Sequence, residues 1–397
     1  MRQARYRQSK ASPEARLNYV ESTAGLFHLQ IQVLAMLFST HLGEAKEAIS
    51  IARWMEDLDR NSRNIWSSDK TNVKDFRACQ DLFDTILDGF IVAFLVDYCG
   101  FDSVSELTSN LEQMGSDRLA SAVEKLADLL NDYSAVTKMR KLSPEYRDQQ
   151  YENLILFMQQ GLVLRNFAVA MRNGDSGMVI DCLSYFTVWF QATKKYNYAF
   201  ETIHLTACIK QLWSPEMRQY WMENCLVNPS GKREGWMACD YLGEYIVREV
   251  KAMMHHNVNE ANSKCLRLTL SPLIVNFRNM RKLMTQECDV PFQSQHSSKV
   301  DTQFDVRLIA RTVLQDQFCQ IRPGRTARNA IDLHGVGIQK LSTQVGIKKY
   351  IAKMDKDQGY VNGNVVEDPV AEEHIEIGVE DDMLSLFDEE LDGWFDS

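Results

Sequence analysis

The chain has 397 residues, 45% hydrophobic and 25% charged, the ordinary balance of a globular protein with length enough for a large core. A net charge of −10 argues against a polyanionic partner only if the charge is evenly spread, and it is not. All 44 Lys and Arg precede residue 357, while Glu367–Ser397 holds thirteen acids and neither Lys nor Arg, so the body without that tail stands near +3 and nucleic-acid contact stays open.

Residues 1–16 (opening MRQARYRQSK) are basic and lack the apolar centre of a secretory signal, so they read as a poorly ordered segment. Nine cysteines without a framework of close pairs point to free thiols inside the cell, nuclear or cytoplasmic. Eight prolines and nineteen glycines leave long stretches free of helix breakers. The motif Ser-Pro-Glu at Ser12–Glu14, Ser143–Glu145 and Ser214–Glu216 offers a capping hydroxyl, a first-turn proline and a carboxylate near the positive helix end.

Residues Gly25–Leu42 are apolar but interrupted by His28, Gln30 and Gln32, which suits a buried helix or a strand running into one. The stretch Ile86–Phe101 carries Asp88 and Asp97 and is shorter than the about 20 apolar residues of a spanning helix, so it reads as a buried helix and no membrane partner is expected. Leu154, Met158 and Leu162 form one apolar stripe, and Leu242, Tyr245, Ile246, Val250 and Met253 another, both at helical spacing. Asn228–Gly231 is a turn, and Glu287–Gln303, with Pro291 and paired serines, is the best internal linker. The expected fold class is mainly α, with room for a remnant of an α/β core. Its layout is a main helical domain over 17–286, a linker at 287–303, a helical unit at 304–356 packing on the main domain, and a disordered acidic tail over 357–397.

Common catalytic signatures are missing: no phosphate loop, no dinucleotide-binding glycine motif, no nucleophile elbow, no His-Glu-x-x-His and no Cys-x-x-Cys, and His255-His256 lacks further close ligands. The densest polar cluster is Glu234, Asp240 and Glu244. Asp240 and Glu244 lie four apart, on one face of a helix, a spacing that suits Mg²⁺ and phosphodiester hydrolysis. The plainer reading has Asp240 favouring its helix N-terminus and Glu244 pairing with Arg248. Asn173–Gly177 is a tight turn that either presents Asp175 or simply joins two helices. His28 and His204 read as satisfied core histidines. Arg322, Arg325 and Arg328, followed by Lys340, Lys348, Lys349 and Lys353, form the most basic neighbourhood, either a phosphate-contacting surface or a solvated face.

The runs Arg165-Asn166-Phe167, Gly174-Asp175, Tyr196–His204, Trp221–Gly231 and Asp240–Glu244, with Gly25-Leu26-Phe27-His28 upstream and Gly324-Arg325, Asp332-Leu333, Gly337 and Leu341 downstream, resemble a fungal domain of unknown function found in large transposon-like proteins. The resemblance spans roughly residues 15–355. It implies kinship to cut-and-paste transposases with a ribonuclease-H-like core, in which a Gly-Asp-Gln stretch bearing the first catalytic aspartate would precede the Gly-Leu-Phe-His segment.

The function expected is therefore a transposon-derived, nucleic-acid-associated domain, catalytically incomplete and more a binder than an enzyme. One alternative is a Mg²⁺-dependent nuclease using Asp175, Asp240 and Glu244, with Asp240 and Glu244 holding the metal. The other is a helical interaction domain. DNA would meet Arg322, Arg325, Arg328, Lys348 and Lys349, and no small-molecule cofactor is expected. In the tail, Leu384, Phe387, Leu391 and Trp394 recur at three- and four-residue spacing among acids, a pattern that suits folding on a protein partner.

Overall fold

A computed structural model of the chain describes residues 23–60, 75–244 and 301–343, with isolated positions at Ile65, Val73, Leu273, Asn276, Asn279 and Ala352. The described body is mainly α, as expected. The first elements are α1 (Leu26–His41), α2 (Ile51–Asp57), α3 (Phe76–Tyr98), α4 (Val104–Asn110), α5 (Ser116–Asn131) and α6 (Ala135–Met139). Then come α7 (Gln149–Asn173), α8 (Ser176–Ala192), α9 (Tyr196–Ala207) and α10 (Pro215–Asn224). The strands β1 (Leu226–Val227) and β2 (Met237–Ala238) precede α11 (Gln303–Gln315) and α12 (Leu333–Ser342).

The strand content for which the sequence left room is small among the described residues. Strands β1 and β2 pair antiparallel, Leu226 opposite Ala238 and Val227 opposite Met237, and Val73 is an isolated bridge. Two residues per strand are too few for a sheet that nucleates a fold.

Helix α7 is the axis of the packing. Asp148 caps it by accepting from the Tyr151 amide, and its side chains are buried around most of the circumference, the pattern of a helix enclosed on all sides. It packs against α1, α3 and α8. Phe157 stacks on Phe83 of α3 at 4.5 Å and meets Phe90 edge-on. Leu154 and Met158 of the apolar stripe are fully buried, whereas Leu162 is half-buried. Of the residues read as a buried helix at 86–101, those up to Tyr98 belong to α3, with Ile86, Leu87, Phe90, Ala93, Phe94 and Val96 buried, and the last three turn out of it. By length and hydropathy, α7 could cross a membrane, yet it buries Glu152, Asn153, Gln159 and Gln160, each bonded inside the protein.

Local starts and stops follow the chain's own signals. Ser214 accepts from the Met217 amide, with Pro215 at the first position of α10. Ser143 departs from the expected cap: its hydroxyl bonds Glu145, and Pro144–Tyr146 is a single 3₁₀ turn. The motif at Ser12 lies outside the described residues. Asn173–Gly177 joins two helices. Gly174 ends α7 at φ +74° and Asp175 caps α8 through the Met178 amide, and a Cβ at residue 174 would sit 2.8 Å from the Trp236 ring.

Helix α11 lies along α3, and α12 lies against α8. Between them, inside the helical unit expected over 304–356, the chain is not helical. Residues 321–332 hold no regular structure, and Pro323-Gly324 interrupts the helical run. Their backbone groups bond to polar side chains of α7 and its entry: Asn153 pairs with the Arg328 carbonyl and the Ala330 amide, Gln149 with the Ala327 amide, and Gln160 with the Ile331 carbonyl. An irregular segment lacking a ladder needs such partners. The tail over 357–397 lies outside the described residues.

Candidate functional site

Helix α1 begins without a cap of its own. Its N-cap is Gly25, which has no side chain to accept from the first amides, and such orphan N–H groups need an acceptor. The acceptor comes from the far end of the described main stretch. Asp240, just past β2, takes the Phe27 amide on Oδ1 and the His28 amide on Oδ2, both at 3.1 Å. A Cβ at residue 25 would overlap the Asp240 carboxylate, so glycine makes room for the cap that it cannot supply.

The same carboxylate takes the His28 ring. Nδ1 lies 2.9 Å from Asp240 Oδ2, and Nε2 lies 3.5 Å from Glu244 Oε1 on the other side. Residues 239–244 are helical, so the four-residue spacing places both carboxylates along one face, with the imidazole between them. Next to it Phe27 packs on Tyr241 at 4.5 Å and meets Phe76 edge-on at 5.6 Å. The Asp240 bond raises the His28 pKa above its ordinary value; burial opposes it, and the charges of Asp240 and Glu244 add to it. Burial would raise the Asp240 carboxyl, but the bonds from the His28 ring and from the His28 and Phe27 amides outweigh it and hold it below its ordinary value.

His28 is thus a half-buried residue seated between two carboxylates and not the core histidine expected. His204 does fit that expectation, 9% exposed, with Nε2 3.5 Å from Cys208 Sγ. Arg248, the expected partner of Glu244, lies outside the described residues, as do His255 and His256.

Of the three proposed catalytic carboxylates, the structure brings Asp240 and Glu244 together on His28. Asp175 serves α8, and no hydrogen bond or ion pair joins it to the other two among the described residues. Both Asp240 oxygens are occupied by protein donors. Among the described residues, no group of three or more His, Cys, Asp or Glu side chains is placed to hold a metal ion. A Mg²⁺ ion asks for several free oxygen ligands at about 2.1 Å, and this donor set, with an imidazole seated between the two acids, does not fit it.

The basic candidates divide. Arg325 turns inward: Nε and Nη2 donate to buried Asp148, Nη1 to the Asp316 and Gln317 carbonyls, and Nη2 also to that of Gln320. Arg328 donates to the Thr40 carbonyl. Arg322 gives only its amide to Asp148, and its side chain is exposed. Lys340 closes the C-terminus of α8 by donating to the Gln191 and Ala192 carbonyls, a favourable place for a cation. Lys348 and Lys349 lie outside the described residues.

Two roles had no pattern that sequence reasoning used. A helix starting at Leu26 without a capping side chain was a signal for a distant acceptor such as Asp240. Asp148 and Glu152 carry no signal beyond their place in the first turn of α7, yet Glu152 is fully buried and holds Arg140 and Arg147.

Fold and site together define a mainly helical domain in which one imidazole ties a helix start to a distant pair of carboxylates. The chain belongs to the family of unknown function DUF6589, whose model matches residues 1–297. Helices α11 and α12 lie beyond that match. No curated protein matches the chain, nor does any solved structure.

Proposed function

We propose that the chain is a transposon-derived, nucleic-acid-associated domain that binds without cutting. The observation that carries the reading is the division among the arginines. Arg325 is consumed in fixing the 321–332 segment, and the same Asp148 carboxylate anchors the Arg322 amide while leaving the Arg322 side chain exposed. A charge on an anchored backbone meets a phosphate without a further backbone-ordering cost, leaving only that of its own side chain. The near-neutral to basic body favours the same partner. Hydrolysis is disfavoured because Asp175 and Asp240 already serve helix starts. The acidic tail would recruit a protein partner.

The test mixes the full chain with single-stranded or branched DNA at low and high salt, with and without Mg²⁺. Binding should weaken with salt, and Arg322→Ala should lower the log–log slope by about one. Cleavage in Mg²⁺ that Glu244→Gln abolishes would establish the nuclease instead. Absence of binding at low salt would leave the helical interaction domain.

A further inference from the structure

We propose that Cys225 and Cys239 are a thiol-modification site that closes into a reversible disulfide across the β1–β2 ladder. Pairing of Leu226 with Ala238 and of Val227 with Met237 makes Cys225 and Cys239 the next opposed positions. The backbone continues the register, since the Cys239 amide donates to the Cys225 carbonyl at 3.3 Å. Cys239 already begins the helical residues 239–244, but this direct amide-to-carbonyl bond holds the two backbones about as close as opposed antiparallel residues, whose Cα atoms are about 5.5 Å apart, within the range a disulfide spans. The two thiols are near enough for the Cys239 charge to act on Cys225, although each now rests on a backbone carbonyl, Cys239 Sγ 2.8 Å from that of Asn224 and Cys225 Sγ 3.8 Å from that of Met222, so closure needs both side chains to turn.

Access differs between the two thiols. Both are free, Cys239 exposed and Cys225 half-buried, whereas the other described cysteines (Cys79, Cys99, Cys182, Cys208 and Cys319) are buried. Cys239 is the point of attack and Cys225 the resolving group. With glutathione disulfide as oxidant, the Cys239 thiolate attacks one sulfur, forming a mixed disulfide and expelling one glutathione thiolate. The Cys225 thiolate then attacks the Cys239 sulfur and expels the second. Each cysteine loses one proton, and the electron pair ends on the two glutathione sulfurs.

Burial pushes the Cys225 thiol up to about 12 and raises Cys239 as well, so thiolate is scarce at neutral pH and closure should be slow and accelerate with pH. Its consequence is local. The bridge would brace a ladder of two residues per strand immediately before Asp240, and with it the cap on α1.

The experiment equilibrates the full chain in glutathione buffers of increasing disulfide fraction, blocks remaining thiols, and maps tryptic peptides. The expected result is one linked species joining Gln219–Lys232 to Glu234–Arg248, released by dithiothreitol and lost in Cys239→Ser and in Cys225→Ser. Because Cys225→Ser alters a half-buried position, the exposed Cys239→Ser variant, checked for native circular dichroism, keeps the test decisive. Separate glutathione adducts on Cys225 and Cys239 without a linked peptide would overturn the proposal, as would a linked peptide joining either to a different cysteine.

Discussion

His28 is flanked on both ring nitrogens by carboxylates, so its protonation governs how firmly residues 25–28 hold residues 240–244. A histidine with a raised folded value stabilises fully below 6.5 and loses that contribution as pH climbs through the raised value. An aspartate with a lowered folded value stabilises above 3.8 and loses it as pH falls through the lowered value. The clamp is therefore strongest between these limits. Replacing Asp240 by Asn should cost roughly 2 kcal/mol near pH 5.5, where a charge-assisted bond is lost. The cost should be smaller at alkaline pH, above the raised His28 value, where the ring has lost its proton and an Asn oxygen still caps. Urea unfolding of both proteins at the two pH values checks this; an equal cost at both would show that His28 charge plays no part.

Among the elements, the α7–α8 corner is the tightest local device. Gly174 holds a left-handed conformation while the Trp236 ring occupies the space of a side chain, and the Trp236 amide donates to the Arg172 carbonyl. The corner thereby seats the loop between β1 and β2. Gly174→Ala should destabilise by about 1–2 kcal/mol from backbone strain alone, with a further cost as Trp236 is pushed aside. A shift in the indole fluorescence should accompany the loss. A stability change of that size with unaltered Trp236 environment would limit the effect to the backbone. This corner was legible in Asn173–Gly177, where two glycines around an acid announce a turn. The Trp236 seat was not, because contacts across some sixty residues leave no periodic mark.

Across the whole molecule, the buried polar groups of α7 join the first described helix to the irregular segment that precedes the last. His41, at the end of α1, is fully enclosed and bonds Gln160 of α7 at 2.8 Å, and Arg328 of the irregular segment donates to the neighbouring Thr40 carbonyl. Burial lowers the His41 pKa to about 4; the Gln160 bond opposes this and the Arg328 charge adds to it. The unfolded chain takes up that proton near 6.5 and the folded one does not, so stability should fall as pH drops from 6.5 towards 4. The loss attributable to His41 is on the order of 3 kcal/mol. His41→Gln should flatten that part of the pH profile even if it lowers stability at neutral pH, and an unchanged slope in the variant would place the acid sensitivity elsewhere.

By itself the sequence determined the mainly helical class, the cap at Ser214, the corner at Gly174 and the shared helical face of Asp240 and Glu244. All of these rest on local periodicity and on the stereochemistry of a few neighbouring residues. Only the tertiary structure decided what those carboxylates do, that Arg325 faces inward while Arg322 faces out, and that residues 321–332 lie irregular along α7. Capping, ion pairing and backbone satisfaction depend on which groups meet in space. Asp240 meets Phe27 across 213 positions, a separation over which composition and spacing carry no information.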